Sequence, residues 1–217
     1  MLATDFGTVT RRELDGCMVR AVALVERDSD VDGEPSMLTL RELVEDSTAA
    51  GPVITVVERD DDGERETRWR TVATRFEDTA TFFPMLGQRE IWRFINLTED
   101  THPMHVHLDS FRVLDRHPAV VELDEDATTA HATSAVVRIG EHPDDQIPHA
   151  LDANERGLKD TMRVNAHEVV DIAVRFSTYA GRYMYHCHIL EHEDHDMMRP
   201  FIVMPADLMP FMERRRR

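Results

Sequence analysis

Residues 181–200 read GRYMYHCHILEHEDHDMMRP. Tyr183, Met184 and Tyr185 favour extended structure and predict a strand that runs into Cys187. Glu191 to Asp196 is a polar, acidic run and predicts a turn, and Pro200 to Met204 predicts the strand that returns. Successive side chains on a strand point to opposite faces, so His186 and His188 share one face and Cys187 takes the other. A second stretch, HPMHVH at residues 102–107, obeys the same rule and sends His105 and His107 out together. Two such strands, each carrying chemistry on both faces, point to an all-β chain.

The rest of the sequence agrees with that reading. Val53 to Val57 is β-branched and is followed by the turn signal Asp60-Asp61-Asp62-Gly63. Residues 68–76 alternate, as do Glu90 to Leu97 and Glu168 to Phe176, where Val170, Ile172, Val174 and Phe176 line one face. Ser110 to Leu114 is a further strand. Many short strands separated by turns indicate a β-sandwich or a barrel. Residues 117–160 are polar and punctuated by Pro118, Pro143 and Pro148, with one strand-like run at Ser134 to Ile139, and read as a long loop insertion. The expected division is a tail of a preceding domain plus linker over 1–35, one domain over 36–205, and a C-terminal tail over 206–217 that ends in the basic run Arg214 to Arg217. Within the first segment, Cys17 to Val25 is expected as a lone strand without a partner, and Glu26 to Pro35 as an acidic linker.

Composition narrows the function. With 42 acidic against 25 basic residues the net charge is −17, which repels nucleic acid and anionic membranes, so neither is expected as a partner. No apolar run approaches the ~18 residues of a membrane span. No basic-then-apolar leader is visible at the start, so the chain as given is expected to be cytoplasmic or cut from something longer. Lys159 is the only lysine. An acidic, lysine-poor surface fits a protein working in high salt, and biased genome composition explains missing lysine equally well. The two cysteines, Cys17 and Cys187, do not suggest a disulfide framework; Cys17 is expected as a buried thiol.

The chemistry lies in the two histidine stretches. Cys187, His192 five residues on and Met197 five further fit a trigonal site of two histidines and a thiolate with a weak axial methionine, the pattern of electron-transfer copper. The second histidine must come from a distant strand, and His102 is the supplier. That leaves His105, His107, His186 and His188 for a second metal site on the other face. The thiolate of Cys187 is joined through the backbone to both neighbouring histidines, which gives electrons a short route between the sites.

The pattern His-x-x-His-x-His plus His-Cys-His-x-x-x-His-x-x-x-x-Met resembles the C-terminal signature of multicopper oxidases, nearest to the spore-coat laccase, bilirubin oxidase and phenoxazinone synthase type. The likeness rests on residues 102–116 (HPMHVHLDSFRVLDR) and 181–200, takes in Trp92 and Lys159-Asp160, and fades before about residue 36. It implies a cupredoxin-like Greek-key β-sandwich and copper as cofactor. It implies type-1 copper on His102, Cys187 and His192 with Met197 axial, type-2 copper on His105, and type-3 copper on His107, His186 and His188. Glu193 matches a family carboxylate that feeds protons to oxygen reduction. The implied reaction is one-electron oxidation of a phenolic or aromatic amine donor coupled to reduction of dioxygen.

One departure bears on that reading. The family's trinuclear cluster also takes two His-x-His pairs from the first domain, and this sequence holds no further such pair. His117, His131, His142, His149, His167 and His195 are isolated. The type-1 set is complete and the type-2/type-3 set is half complete. Either another domain or another chain supplies the missing pairs, or the chain is a stand-alone blue-copper electron carrier, or it is an inactive copper-binding remnant.

Overall fold

The computed structural model describes residues 14–27, 36–60, 63–141 and 151–208. The elements are β1 (Met18–Arg27), β2 (Met37–Glu45), β3 (Ile54–Asp60), β4 (Gly63–Ala73), β5 (Arg89–Asn96), β6 (His102–Val106), β7 (Phe111–Leu123), β8 (Ala135–Ile139), β9 (Thr161–Val164), β10 (Glu168–Arg175), β11 (Gly181–Cys187), the short helix α1 (Leu190–His195) and β12 (Met198–Val203). They form two layers. One is a closed barrel in the order β1-β2-β4-β3-β8-β7-β10-β5, and the other is a four-stranded sheet ordered β12-β11-β6-β9. Between β5 and β11 the chain crosses repeatedly from one layer to the other, so the cupredoxin-like Greek-key sandwich is present with one of its layers closed on itself. No helix among the described residues is long and apolar enough to cross a membrane.

Closure gives the barrel strands two buried faces, and the sequence divides between them by parity. Val22 and Leu24 of β1, Trp92 and Phe94 of β5, and Val170, Ile172 and Val174 of β10 fill the core between barrel and sheet. Their neighbours Ala21, Ala23, Val25, Ile95 and Val169 fill the barrel interior, where alanines suit the narrow space. On that inner parity, Arg93 pairs with Asp171 at 2.8 Å and with Glu58 at 2.6 Å, so the charged group in the interior has its partners. The interlayer core centres on Trp92, whose ring lies 5.2–5.6 Å from those of Phe82, Phe176, Tyr185 and Phe201. Burying each such side chain contributes roughly 1.5–3 kcal/mol.

Four expectations need correction. Cys17 to Val25 is not a lone strand: β1 pairs antiparallel with β2 and parallel with β5, and so lies inside the barrel. Its continuous apolar run is what a strand buried on both faces looks like, and its partners are distant in sequence. The segment 117–160 is not loop throughout, because β7 continues to Leu123 and pairs with β8, burying Ala119 with Val121 and Leu123 packed beside it. Glu191 to His195 lies in helix α1, with Asp196 just past its end, rather than in a simple turn. Cys17 is half-buried rather than buried. The linker residues 28–35, His142, His149, Pro143, Pro148 and the tail Arg214–Arg217 lie outside the described residues.

The later part of that segment is held down by charge. Arg116 on β7, with its side chain fully buried, bonds Glu155 through two nitrogens, Glu168 at 2.7 Å and the Arg163 carbonyl at 2.8 Å. The turn at Ala153–Glu155 is thereby fixed against β7 and β10, and with it the strand β9 that borders the site.

Candidate metal centre

The register of the four-stranded sheet builds two clusters. Opposite Tyr185, His186 and Cys187 on β11 stand Val106, His105 and Met104 on β6. Odd-numbered residues of β11 and even-numbered residues of β6 face the interlayer core, so Tyr185, Cys187, His102, Met104 and Val106 are buried there. His105, His107 and His186 point the other way, onto the outer face of the sheet. The parity argument from sequence therefore holds on both strands.

On the inner face, Cys187 Sγ lies 3.7 Å from Nδ1 of His102 and 3.7 Å from Nδ1 of His192, and the two nitrogens are 3.2 Å apart. Bonds of ~2.0–2.3 Å from one ion in the plane of three ligands would put its ligand atoms ~3.5–3.8 Å apart, so the triad fits a single trigonally held metal. Two imidazoles and a thiolate are a donor set that suits copper. His102 and Cys187 have no exposed surface, while His192 on α1 is half-buried and forms the edge nearest solvent. Met197 is fully buried in the same core cluster. Backbone bonds hold the loop closed: Cys187 N–H donates to Met197 O at 2.9 Å, Met197 N–H to His192 O at 3.1 Å, and His188 N–H to Pro103 O at 2.7 Å.

Burial sets the protonation of this triad. It pushes His102 down to about 4, with the neighbouring His192 adding to the effect. It pushes the Cys187 thiol up to about 11. A metal entering here meets neutral His102 and must displace the thiol proton.

On the outer face, His107 Nε2 and His186 Nε2 are 3.1 Å apart, and the His105 ring lies 4.9 Å from that of His107 and 5.4 Å from those of His186 and His188. The second nitrogens are tied to acceptors. His105 Nδ1 donates to the Asp160 carbonyl at 2.9 Å with Thr161 Oγ1 at 3.0 Å, and His186 Nδ1 donates to the Cys187 carbonyl at 3.0 Å. Carbonyls only accept, so both rings present a free Nε2 to the cluster. Burial, followed by neighbouring imidazoles, holds His105 and His107 below the usual histidine range. His188 is exposed. Glu193 on α1 places a carboxylate oxygen 3.6 Å from His186 Nδ1 and is partly exposed.

The structure thus gathers His102, Cys187, His192 and Met197 on one side, and His105, His107, His186, His188 and Glu193 on the other. His117 and His167 stand apart from both, beside Asp115 at 3.7 Å and Glu99 at 3.2 Å. Three supporting groups carried no readable signal. Thr98 and Asn96 back His102. Asp160, part of the stretch noted above, acts through its backbone carbonyl, which any residue type supplies.

The chain resembles known proteins. A family model described as multicopper oxidase matches residues 51–207. A laccase of Bacillus subtilis is 45% identical over 126 residues, covering 58% of this chain and 22% of the relative. A laccase of Bacillus stratosphericus is 43% identical over 129 residues, covering 59% and 23%. Among solved structures, the McoA multicopper oxidase of Aquifex aeolicus is 25% identical over 91% of this chain and 31% of its own, with a TM-score of 0.49. The chain spans about a quarter or less of the length of the curated relatives it matches.

Proposed function

This chain belongs to the multicopper oxidase family, and from that premise we propose that it is the electron-accepting copper domain of a laccase-like oxidase. In this reading His102, Cys187, His192 and Met197 would hold a type-1 copper. His105 belongs to a type-2 site, and His107, His186 and His188 to type-3 sites. Bound copper would supply one-electron chemistry, taking electrons from a phenolic or aromatic amine donor toward dioxygen. The chain's own residues do the rest. The interlayer core keeps water from Cys187, and the half-buried His192 offers the contact edge to a donor. Cys187 joins the two faces covalently, since its peptide neighbours are His186 and His188. Glu193, beside His186, is placed to pass protons to the outer face.

The observation that carries the proposal is the sulfur of Cys187 meeting two Nδ1 atoms at 3.7 Å on one face of a strand whose flanking histidines serve the other. The outer face has four histidines where the family cluster uses eight, so we propose that another domain or chain supplies the remaining pairs. The same half-set is compatible with a second reading, a blue-copper electron carrier that needs only His102, Cys187, His192 and Met197, or an inactive copper-binding remnant. Copper content per chain, measured with the visible spectrum after copper loading, separates them. Three or four coppers with oxygen uptake on a phenolic donor supports the oxidase. One copper with intense blue colour and no oxygen uptake supports the carrier. No blue colour at any loading defeats the type-1 assignment.

A further inference from the structure

Thr98 and Asn96 lie just before His102, and neither is a metal ligand. Asn96 has no exposed surface and Thr98 almost none. The Asn96 amide nitrogen donates to the carbonyls of Asp100 at 2.7 Å, Asn165 at 2.8 Å and Val164 at 3.3 Å, which fixes its orientation and turns Oδ1 toward Thr98. That oxygen accepts from Thr98 N–H at 3.0 Å and stands 2.9 Å from Thr98 Oγ1. The other acceptor within reach of the hydroxyl is the Asp100 carbonyl at 3.3 Å. Both are oxygens that only accept, and turning the hydrogen to His102 Nε2 instead would leave two bare oxygen–oxygen contacts at 2.9 and 3.3 Å, so the single hydroxyl hydrogen of Thr98 goes to one of the oxygens. Its lone pairs then receive Asp100 N–H at 3.2 Å and the remaining neighbour, His102 Nε2, at 2.7 Å.

A hydroxyl whose hydrogen is already committed can meet His102 Nε2 only as an acceptor. We infer that Thr98 is the positioning residue of His102: it holds the proton on Nε2 and leaves the lone pair on Nδ1, facing Cys187 and His192. Asn96 sets the direction of the chain of bonds and anchors it to the β9–β10 connection. The imidazole plane and its donor atom are thereby chosen by the protein before a metal arrives, which is how outer groups around a metal ligand act.

The test compares the full chain with its Thr98→Val and Thr98→Ser variants. Long-range proton–nitrogen NMR of the metal-free protein reads the tautomer directly. His102 should carry its proton on Nε2 in the wild type and in Thr98→Ser, and should lose that preference in Thr98→Val. A wild-type ring protonated on Nδ1 overturns the inference even if the valine variant does not fold, and so does a valine variant with an unchanged tautomer. Competitive copper(II) titration should show affinity falling by about 10- to 100-fold in Thr98→Val, with Thr98→Ser recovering most of it; unchanged affinity would count against the inference. The copper arm rests on the type-1 reading and the tautomer arm does not. A chain that never turns blue would therefore defeat that reading alone.

Discussion

His102 and His192 are 90 residues apart in sequence, yet their Nδ1 atoms stand 3.2 Å apart. They reach each other from different elements, His102 from the buried face of β6 and His192 from α1, and Cys187 between them supplies the thiol. Replacing Cys187 with serine keeps the size of the side chain and removes the thiolate. The expected result is a folded chain without the intense blue thiolate-to-copper band, and with weakened copper binding, read by visible spectroscopy during copper titration. A Cys187→Ser protein that stayed blue would overturn the ligand assignment.

Met197 has no exposed surface, so its replacement has to be judged for packing and for ligation separately. Met197→Leu conserves volume and should cost less than about 1.5 kcal/mol of stability. If the thioether is the weak axial ligand, the variant keeps its blue colour and its reduction potential rises, as a potentiometric titration would show. A potential that stayed put would remove Met197 from the site.

The parts of the structure legible in the sequence were those that depend on period two. His105 with His107, and His186 with His188 opposite Cys187, could be assigned to faces because a strand leaves no other choice. The place of β1 was hidden for a related reason. A strand buried on both faces shows no alternation, and its partners β2 and β5 are set by barrel closure, which is non-local. Thr98 was invisible because the loop at 97–101 brings it back to His102, and a threonine in a loop announces nothing by type or spacing.

Glu42 and Arg199 form a pair in which neither side chain is exposed, at 2.9 Å, and Tyr185 donates to the same carboxylate at 2.8 Å. Two residues from Cys187, this network fixes β11 against the barrel. Glu42→Ala strands the buried guanidinium and should cost about 3–5 kcal/mol. Tyr185→Phe gives up one bond to a charged group and should cost about 1.5–3 kcal/mol. Denaturant midpoints at constant m-value give both numbers, and a Glu42→Ala chain as stable as wild type would show that the pair contributes nothing.

Glu155 links the β9 side of the site to pH. Burial alone would raise its pKa, but the hydrogen bonds and charge of Arg116 and the Asp152 backbone N–H hold it below the usual value of 4.5. A folded pKa below the unfolded one means stability that is present above about pH 4.5 and is lost as pH falls through the folded value. Thermal unfolding measured from neutral to acid pH should show that loss, and Glu155→Gln should flatten it. Parallel curves for the two proteins would mean that acid acts elsewhere.

The net charge of −17 makes a prediction of opposite character, about salt. Self-repulsion among solvated carboxylates opposes the compact state, and it is screened as the Debye length falls from ~30 Å at 0.01 M salt to ~3 Å at 1 M. The favourable pairs are less sensitive, because Glu42–Arg199 and the Arg116 bonds to Glu155 and Glu168 are buried. Screening therefore removes more repulsion than attraction, and sodium chloride should raise the melting temperature, by about 2–4 °C for each kcal/mol gained in a chain of this size. Sodium chloride is the salt to use, since sulfate also strengthens apolar burial and would raise the melting temperature for another reason. A melting temperature that falls or stays level across that range would mean that the surface carboxylates are paired well enough to be attractive on balance. The acidic composition would then reflect sequence bias rather than an adaptation to salt.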